Sequence, residues 1–276
     1  CLPRIAAVFD RMPCMSELLA LVDAESLKML LAIFVVLALS SWVGSVIGRQ
    51  QRKQNPAKDE GIKIVLGATL SLFGLLIGFL LSFAISGYNT RVSAEEHEAM
   101  ALANAFQRTT LLPTTEAQAQ AEAILDKYLA SRIAFYQAPS DTERAALRMQ
   151  SIQLQTKMWN FVSGVAKQAP NPVSMSLVEA CNQLYISQQQ TMASWRNQIP
   201  LAAWLILIVF GVCSNFLIGY HMRAGSQAWL LVVPFVTALA LFMISEIDVP
   251  GKGVIHVTPQ NLEALQVTLS KGGLTP

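Results

Sequence analysis

One stretch of the chain begins like a catalytic metal site but is incomplete. His97-Glu98-Ala99-Met100-Ala101 opens as the H-E-x-x-H motif does, in which two histidines one helical turn apart hold zinc and the glutamate acts as a base. Ala101 stands where the second histidine is required, and the other histidines, His221 and His256, are distant in the sequence. We therefore expect no metal site here. We interpret the local carboxylates as a solvated helix face, formed by Glu95, Glu96 and Glu98.

Other signatures of chemistry are missing from the sequence as well. It contains no G-x-S-x-G, P-loop or G-x-G-x-x-G motif, and its four cysteines, at positions 1, 14, 181 and 213, include no C-x-x-C pair. A net charge of +2 gives no reason to expect nucleic acid as a partner. The sequence predicts that the protein is not an enzyme and has no catalytic, cofactor-binding or metal-binding residues.

Four charged residues beside apolar segments are candidates for an ion site or for structural ion pairs. Glu246 and Asp248 follow the last apolar segment, where the dipole of a helix C-terminus disfavours anions. In the structural interpretation, Arg91 or Arg196 pairs with one of these acids and offsets the dipole. In the functional interpretation, the acids belong to the cation-attracting mouth of an ion path. We predict that Arg91 or Arg196 lies near Asp248.

Four apolar segments explain a composition that is 53% hydrophobic and only 14% charged. Formal charges are absent from residues 29–48, 64–90, 197–220 and 224–245. Each segment is long enough to cross a hydrocarbon core, which takes roughly 20 helical residues. Lipid favours helices because they satisfy their own backbone hydrogen bonds. We predict four transmembrane helices, and their lack of charge argues against proton relays, ion-coupled transporters and voltage sensors.

Small residues recur along one side of the second predicted span, at Gly67, Ser71, Gly74, Gly78, Ser82 and Ser86. Such a stripe is typical of close helix packing, and the alternative is that it lines a narrow polar conduction path. Both interpretations hold if the stripes of several subunits pack around one axis, so we expect a homo-oligomer in the lipid bilayer. In span three, Ser214 and Asn215 are the most polar pair, and we expect them to form a helix–helix hydrogen bond.

The segment between spans two and three is predicted to be a helical bundle. Residues 89–163 contain no glycine, and Pro113 and Pro139 divide the segment into helices. The first expected helix continues from span two to about residue 112. The second starts at Thr114 or Thr115, either of which can cap it, and runs to about residue 137; the third runs from 141 to about 167, and the fourth from about 174 towards Pro200. The apolar stripe of the second of these consists of Ala121, Ile124, Leu125, Tyr128 and Leu129.

The fold class is therefore an all-α integral membrane protein, with four transmembrane helices and an extramembrane helical bundle between spans two and three. The predicted parts are an N-terminal segment 1–27, spans one and two in 28–90, the insert 91–198, spans three and four in 199–246, and a tail 247–276. In the tail, a β-prone stretch at 253–257 precedes a short helix with Thr258 as N-cap and Pro259 at its first position. Residues 1–14 are interpreted as an extension upstream of Met15, the alternative being that Cys1 carries a lipid.

The short loops indicate how the chain crosses the membrane. The loop after span one holds five basic residues against two acidic ones, and the turn after span three holds Arg223; the five are Arg49, Arg52, Lys53, Lys58 and Lys63. Basic short loops stay in the cytoplasm. We therefore predict a bacterial inner-membrane protein whose insert and both termini face the periplasm.

Three stretches of the sequence resemble the bestrophin-like domain family of bacterial membrane proteins. They are Glu98-Ala99-x-Ala101-Leu102-x-x-Ala105-Phe106-x-Arg108-x-x-Leu111-Leu112-Pro113, then Arg196-Asn197-Gln198-Ile199-Pro200-Leu201-Ala202-Ala203-Trp204, and Glu246-Ile247-Asp248-x-Pro250-x-x-Gly253-x-Ile255-x-Val257. The start of span two, Gly74-Leu75-Leu76-Ile77-Gly78-Phe79, is similar too, so the resemblance extends over about residues 28–269. Glu246 departs from the family's usual aspartate but keeps the charge.

The resemblance implies architecture more than chemistry. It implies two helices, a helical insert and two further helices, and it supplies no catalytic residues. The family's name suggests anion channels, so the leading hypothesis is an oligomeric ion (anion) channel with span two nearest the axis, for an unidentified ion. The alternative is a non-conducting membrane scaffold or sensor whose helical insert binds a partner.

The predicted orientation can be tested by cysteine labelling. In a variant lacking the native cysteines, a membrane-impermeant thiol reagent added to intact spheroplasts should label Ser140→Cys but not Asn55→Cys, because only the insert is predicted to face outward. Labelling of Asn55→Cys alone would reverse the orientation.

Overall fold

The computed structural model describes residues 24–52, 59–222, 229–251 and 255–271. Its helices are α1 (Ala24–Arg52), α2 (Asp59–Thr109), α3 (Thr115–Gln137), α4 (Asp141–Gln168), α5 (Pro172–Arg196), α6 (Leu201–His221), α7 (Trp229–Asp248) and α8 (Gln260–Ser270). No strand occurs within these ranges. Several predictions fall outside the described residues, namely those on 1–23, on Lys53, Asn55, Lys58 and Arg223, and on 253–254.

The boundaries of the middle helices follow from side-chain caps. The Thr114 hydroxyl accepts from the Ala117 N–H at 3.2 Å, and the Ser140 hydroxyl accepts from the Glu143 N–H at 3.2 Å. Asn171 and Ser174 form a reciprocal capping box at α5, with proline at its first position. Each cap satisfies a backbone N–H that the first turn of a helix leaves without a partner. The helices accordingly begin within a few residues of their predicted positions.

The described residues belong to two compact units. The span unit comprises Cys1–Ala84 and Ile199–Ile255, and the bundle unit comprises Ile85–Gln198 and His256–Pro276. Four helices are long and apolar enough to cross a membrane, with mean hydropathies of 2.3 to 2.5 over their most apolar segments. These helices are α1, α2, the α5–α6 segment and α7.

Helices α1 and α6 of the span unit approach so closely that side chains are excluded between them. A Cβ atom placed on Gly44 would fall on the carbonyl oxygen of Phe216, and one on Gly48 would fall on that of Tyr220. On the opposite helix, a Cβ on Gly219 would fall on the carbonyl oxygen of Ser41. Gly44 and Gly48 are four residues apart, which is the small-xxx-small spacing of closely packed membrane helices. This pair lies on span one, whereas the small-residue stripe predicted from the sequence lies on span two.

Polar contacts in the span unit differ from those predicted. The Asn215 side-chain amide donates to the carbonyl of Gly211 at 2.8 Å, within its own helix, so the expected helix–helix bond from Asn215 is wrong. Ser40 makes such a bond instead, because its hydroxyl donates to the carbonyl of Val212 at 2.8 Å. Span two joins this packing through Phe73, whose ring lies 3.4 Å from where a Cβ on Gly211 would be.

The bundle unit has an apolar core to which α2, α3, α4, α5 and α8 all contribute. Its most deeply buried leucine side chains, at most 2% exposed, are Leu102, Leu125, Leu129, Leu184 and Leu262. The predicted stripe of α3 faces this core, with Ile124 at its edge. Burying a leucine side chain contributes roughly 1.5–3 kcal/mol, so this core is the main source of the unit's stability.

Glycines with and without close neighbours give matched variants for a stability test. We expect Gly44→Ala to lower the melting temperature of the purified protein in detergent, since overpacking costs about 1–3 kcal/mol. Gly164→Ala in α4 is the control, because no described atom lies within 4 Å of a Cβ at Gly164. Equal melting temperatures for the two variants would contradict the close approach of α1 and α6.

Candidate functional site

The centre of the bundle unit is a carboxylate that is wholly removed from solvent. Glu98 is 0% exposed. Its Oε1 accepts from Arg132 Nε at 2.5 Å and its Oε2 from Arg132 Nη2 at 3.0 Å, a bidentate ion pair. The Tyr128 hydroxyl donates to Oε1 at 3.1 Å and the Thr191 hydroxyl to Oε2 at 3.0 Å. One side chain of α2 thus accepts hydrogen bonds from both α3 and α5. We call these four residues the Glu98 network.

Arg132 supplies the balancing charge and is itself 0% exposed. Its guanidinium carbon lies 4.5 Å from the ring centre of Phe135 and 5.8 Å from that of Tyr136, which adds cation–π contacts. Burial alone would lower the pKa of Arg132, but the Glu98 carboxylate outweighs it and the pKa is raised. Arg132 therefore stays charged, and Glu98 holds a permanent counter-ion.

Tyr128 extends the network to α4. Burial raises the pKa of its hydroxyl well above the ordinary value, and the neighbouring Glu98 carboxylate raises it further. The hydroxyl is therefore neutral and donates its hydrogen to Glu98. Its oxygen accepts from Gln155 Nε2 at 3.3 Å. The orientation of the Gln155 amide is set in this way by a carboxylate two contacts away.

A second buried carboxylate, that of Glu95, caps the tail helix. Its Oε1 accepts from the backbone N–H groups of Asn261 and Leu262, both at 3.0 Å, and its Oε2 accepts from Asn261 Nδ2 at 2.6 Å. Helix α8 begins at Gln260 and has no cap hydrogen bond from its own flanking side chain at Pro259. The predicted N-cap at Thr258 with Pro259 at the first helical position is therefore wrong. Pro259 is the cap residue, and the Glu95 carboxylate of α2 accepts from the first N–H groups of α8.

The predicted solvated face of glutamates is also wrong for two of its three members. Glu95 is 1% exposed and Glu98 is 0% exposed, and Glu96 alone faces solvent. The spacing indicates burial of Glu95 and Glu98, because positions 95, 98 and 102 lie on one helix face and Leu102 belongs to the core. The charge of these side chains favours exposure to solvent, but their position on the helix face that bears Leu102 predicts that two of them are buried.

The six small residues of span two lie on the surface of the chain. Gly67, Ser71, Gly74, Gly78, Ser82 and Ser86 are all exposed. No described atom lies within 4 Å of a Cβ at any of the three glycines. The stripe is therefore not used for packing by the described part of this chain, in contrast to the glycines of α1 and α6.

Three of the four predicted charged residues are buried. Arg91 is 2% exposed, Glu246 5% and Asp248 6%, whereas Arg196 is exposed. Asp248 Oδ1 accepts from the backbone N–H of Ile199 at 2.9 Å, just before α6 begins. This contact gives Asp248 a structural role within the span unit. The pairing of Arg91 or Arg196 with these acids stays a prediction.

The Bestrophin-like domain matches residues 30–262 of the chain. The chain belongs to this family, which confirms the resemblance, and with its four apolar helices it is a multi-pass membrane protein. No curated protein matches it.

Solved structures share the fold. A crystal structure of a membrane protein has a TM-score of 0.53 at 14% identity, over 92% of this chain and 100% of that one. A mutant of a bacterial Bestrophin homolog from Klebsiella pneumoniae has a TM-score of 0.52 at 15% identity, over 91% and 98% of the two chains. Another mutant of that homolog has a TM-score of 0.51 at 16% identity, over 86% and 97%. At these identities the likeness concerns the fold alone.

The Glu98 network predicts different effects for adjacent glutamates. Glu98→Gln leaves the Arg132 charge buried without a counter-ion, so we expect a loss of about 3–5 kcal/mol in the free energy of unfolding. Glu96→Gln is the control and should change it by less than about 0.5 kcal/mol. Denaturant unfolding followed by circular dichroism measures both. A Glu98→Gln variant as stable as Glu96→Gln would overturn the central place of the network.

Proposed function

We propose that the protein is a homo-oligomeric ion channel in which α2 lies nearest the axis. The observation that carries the proposal is the exposed face of small residues on span two. Membership of the Bestrophin-like family supports a channel-type protein, and the family name is the reason for considering anions.

The contrast between two sets of glycines supports contact between copies. In α1 and α6, glycines are used for close packing within the chain, whereas Gly67, Gly74 and Gly78 have open space beside them. Small residues let helix backbones approach one another in lipid. Exposed glycines on a span are therefore suited to contact with another chain, and the α2 helix of a second copy is the occupant that we propose.

A channel needs a path that ions can enter without a deep electrostatic trap. The stripe offers glycine backbone and the hydroxyls of Ser71, Ser82 and Ser86, with no formal charge among its six residues. Serine hydroxyls both donate and accept hydrogen bonds, so they can replace part of an ion's hydration shell. A narrow axial path between copies of α2 fits this chemistry.

The setting of the channel is also proposed. We place it in the bacterial inner membrane, with the helical insert outside the bilayer and facing the periplasm together with both termini. The basic loop after span one supports this orientation. Pairing of Arg91 or Arg196 with Glu246 or Asp248 belongs to the same proposal. Arg91 and the two acids are buried, and buried charges favour a partner of opposite sign.

Cross-linking tests the arrangement of α2. In a variant without native cysteines, Ser71→Cys lies on the stripe, and Leu72→Cys lies about 100° away on the same exposed helix. Under mild oxidation in membranes, we expect disulfide-linked dimers from Ser71→Cys and few from Leu72→Cys. Dimers from Leu72→Cys alone would place another face of α2 at the axis.

Ion flux tests the function itself. Purified protein in liposomes should dissipate a chloride or potassium gradient, and replacing Gly78 in the middle of the stripe with tryptophan should reduce the flux by blocking the path. Empty liposomes are the control. Absence of flux in every salt and calcium condition, from folded protein, would instead favour the non-conducting scaffold or sensor.

A further inference from the structure

A cavity of about 310 Å³ lies between α4 and α5 of the bundle unit. Its lining includes Gln155, Thr156 and Trp159 of α4 and Asn182 and Tyr185 of α5. Ligand pockets in proteins occupy roughly 300–1,000 Å³, so this cavity has room for a small molecule. None of its described lining residues carries a formal charge.

Gln155 presents a hydrogen-bond acceptor whose direction is fixed by the Glu98 network. Its Nε2 donates to the Tyr128 oxygen at 3.3 Å, and the Tyr128 hydroxyl donates its own hydrogen to Glu98. The Tyr128 oxygen can therefore only accept from Gln155, and a reversed amide would set two acceptors against each other. The amide oxygen Oε1 is thus held on the side away from Tyr128.

This oxygen lacks a protein donor. Gln155 is 8% exposed, and its Oε1 has no hydrogen-bond partner among the described residues. A buried polar atom without a partner costs free energy, and native proteins contain few of them. Because Gln155 lines the cavity, a molecule bound there can supply the missing donor. The cavity therefore favours an occupant that carries an N–H or O–H group.

Two aromatic side chains favour a positively charged occupant. Trp159 and Tyr185 line the cavity and are 46% and 51% exposed. Aromatic rings attract ammonium groups, and tryptophan does so most strongly. An anion would find no basic residue among the described lining residues.

We propose that the cavity between α4 and α5 binds a small organic ammonium ion with an apolar body. The ammonium group donates to Gln155 Oε1, and its charge is stabilised by the rings of Trp159 and Tyr185. Thr156 offers a second acceptor, since its hydroxyl donates to the carbonyl of Ile152 and its oxygen can still accept. The proposal does not depend on ion conduction, because the cavity lies within the bundle unit.

Calorimetric titration with 2-phenylethylammonium tests the proposal. The full chain is studied in phosphatidylcholine nanodiscs, and empty nanodiscs are the blank because an amphiphilic amine also enters lipid. 2-Phenylethanol is the matched neutral probe, with a hydroxyl in place of the ammonium group. We expect the ammonium to bind roughly tenfold more tightly than the alcohol, because a charged donor strengthens the hydrogen bond and adds the cation–π attraction. Equal affinities, or no saturable heat above the blank, would overturn the proposal.

Three variants test where the probe binds. Gln155→Met keeps the length of the side chain but removes the acceptor, so it should weaken ammonium binding by roughly tenfold. Gln153→Met is the matched control, because Gln153 is exposed on α4 and lies outside the cavity lining. Trp159→Leu should weaken ammonium binding by about threefold.

The Trp159 variant keeps the test decisive if Gln155→Met unfolds, because Trp159 is partly exposed and lies outside the Glu98 network. Thermal melting followed by circular dichroism establishes which variants are folded. Unchanged ammonium binding in a folded Gln155→Met or Trp159→Leu variant would contradict the site. An equal loss of binding in Gln153→Met would contradict it as well.

Discussion

Burying an unpaired carboxylate costs several kcal/mol, so Glu98 can be wholly inaccessible only where several donors reach it together. Arg132 and Thr191 meet it from α3 and α5, and these contacts fix the register of both helices against α2. Tyr128 then carries the constraint to α4 through Gln155. The surrounding leucines can pack in several arrangements at similar cost, but the bidentate ion pair forms in only a few of these arrangements. The network therefore specifies which of the possible helix arrangements forms.

The span unit is specified by a different constraint. Hydrophobicity cannot drive two helices together inside lipid, because the acyl chains are equally apolar. What remains is close backbone approach, which Gly44, Gly48 and Gly219 permit, and a small number of hydrogen bonds such as that from Ser40 to Val212. Helices α1 and α6 thus use their small residues within the chain. Helix α2 leaves its small residues exposed. This difference between α2 and the α1–α6 pair is the basis of the proposed assembly.

Much of the fold was predictable because it depends on local signals. Charge-free segments define spans, and Thr114, Ser140 and the Pro172 region mark where helices begin. The candidate site was less predictable, because its chemistry depends on which neighbour each side chain meets. Glu95, Glu96 and Glu98 are the same residue type within four positions, yet two are buried and one is exposed. Arg132 gave no sequence signal, since its partner lies 34 residues away in another helix.

Helix α2 carries both a buried face, which makes the polar contacts of the bundle unit, and an exposed face. Within the bundle unit, its inward side is held by Glu95, Glu98 and Leu102, each of which is at most 1% exposed. Because these contacts fix the rotation of the helix about its own axis, they also fix the direction in which Ser86 and Glu96 point. The exposed face is therefore a consequence of the buried one. A change at Glu98 would alter the exposed face only by turning or loosening α2, whereas a change at Glu96 would alter that face directly and leave the buried contacts in place.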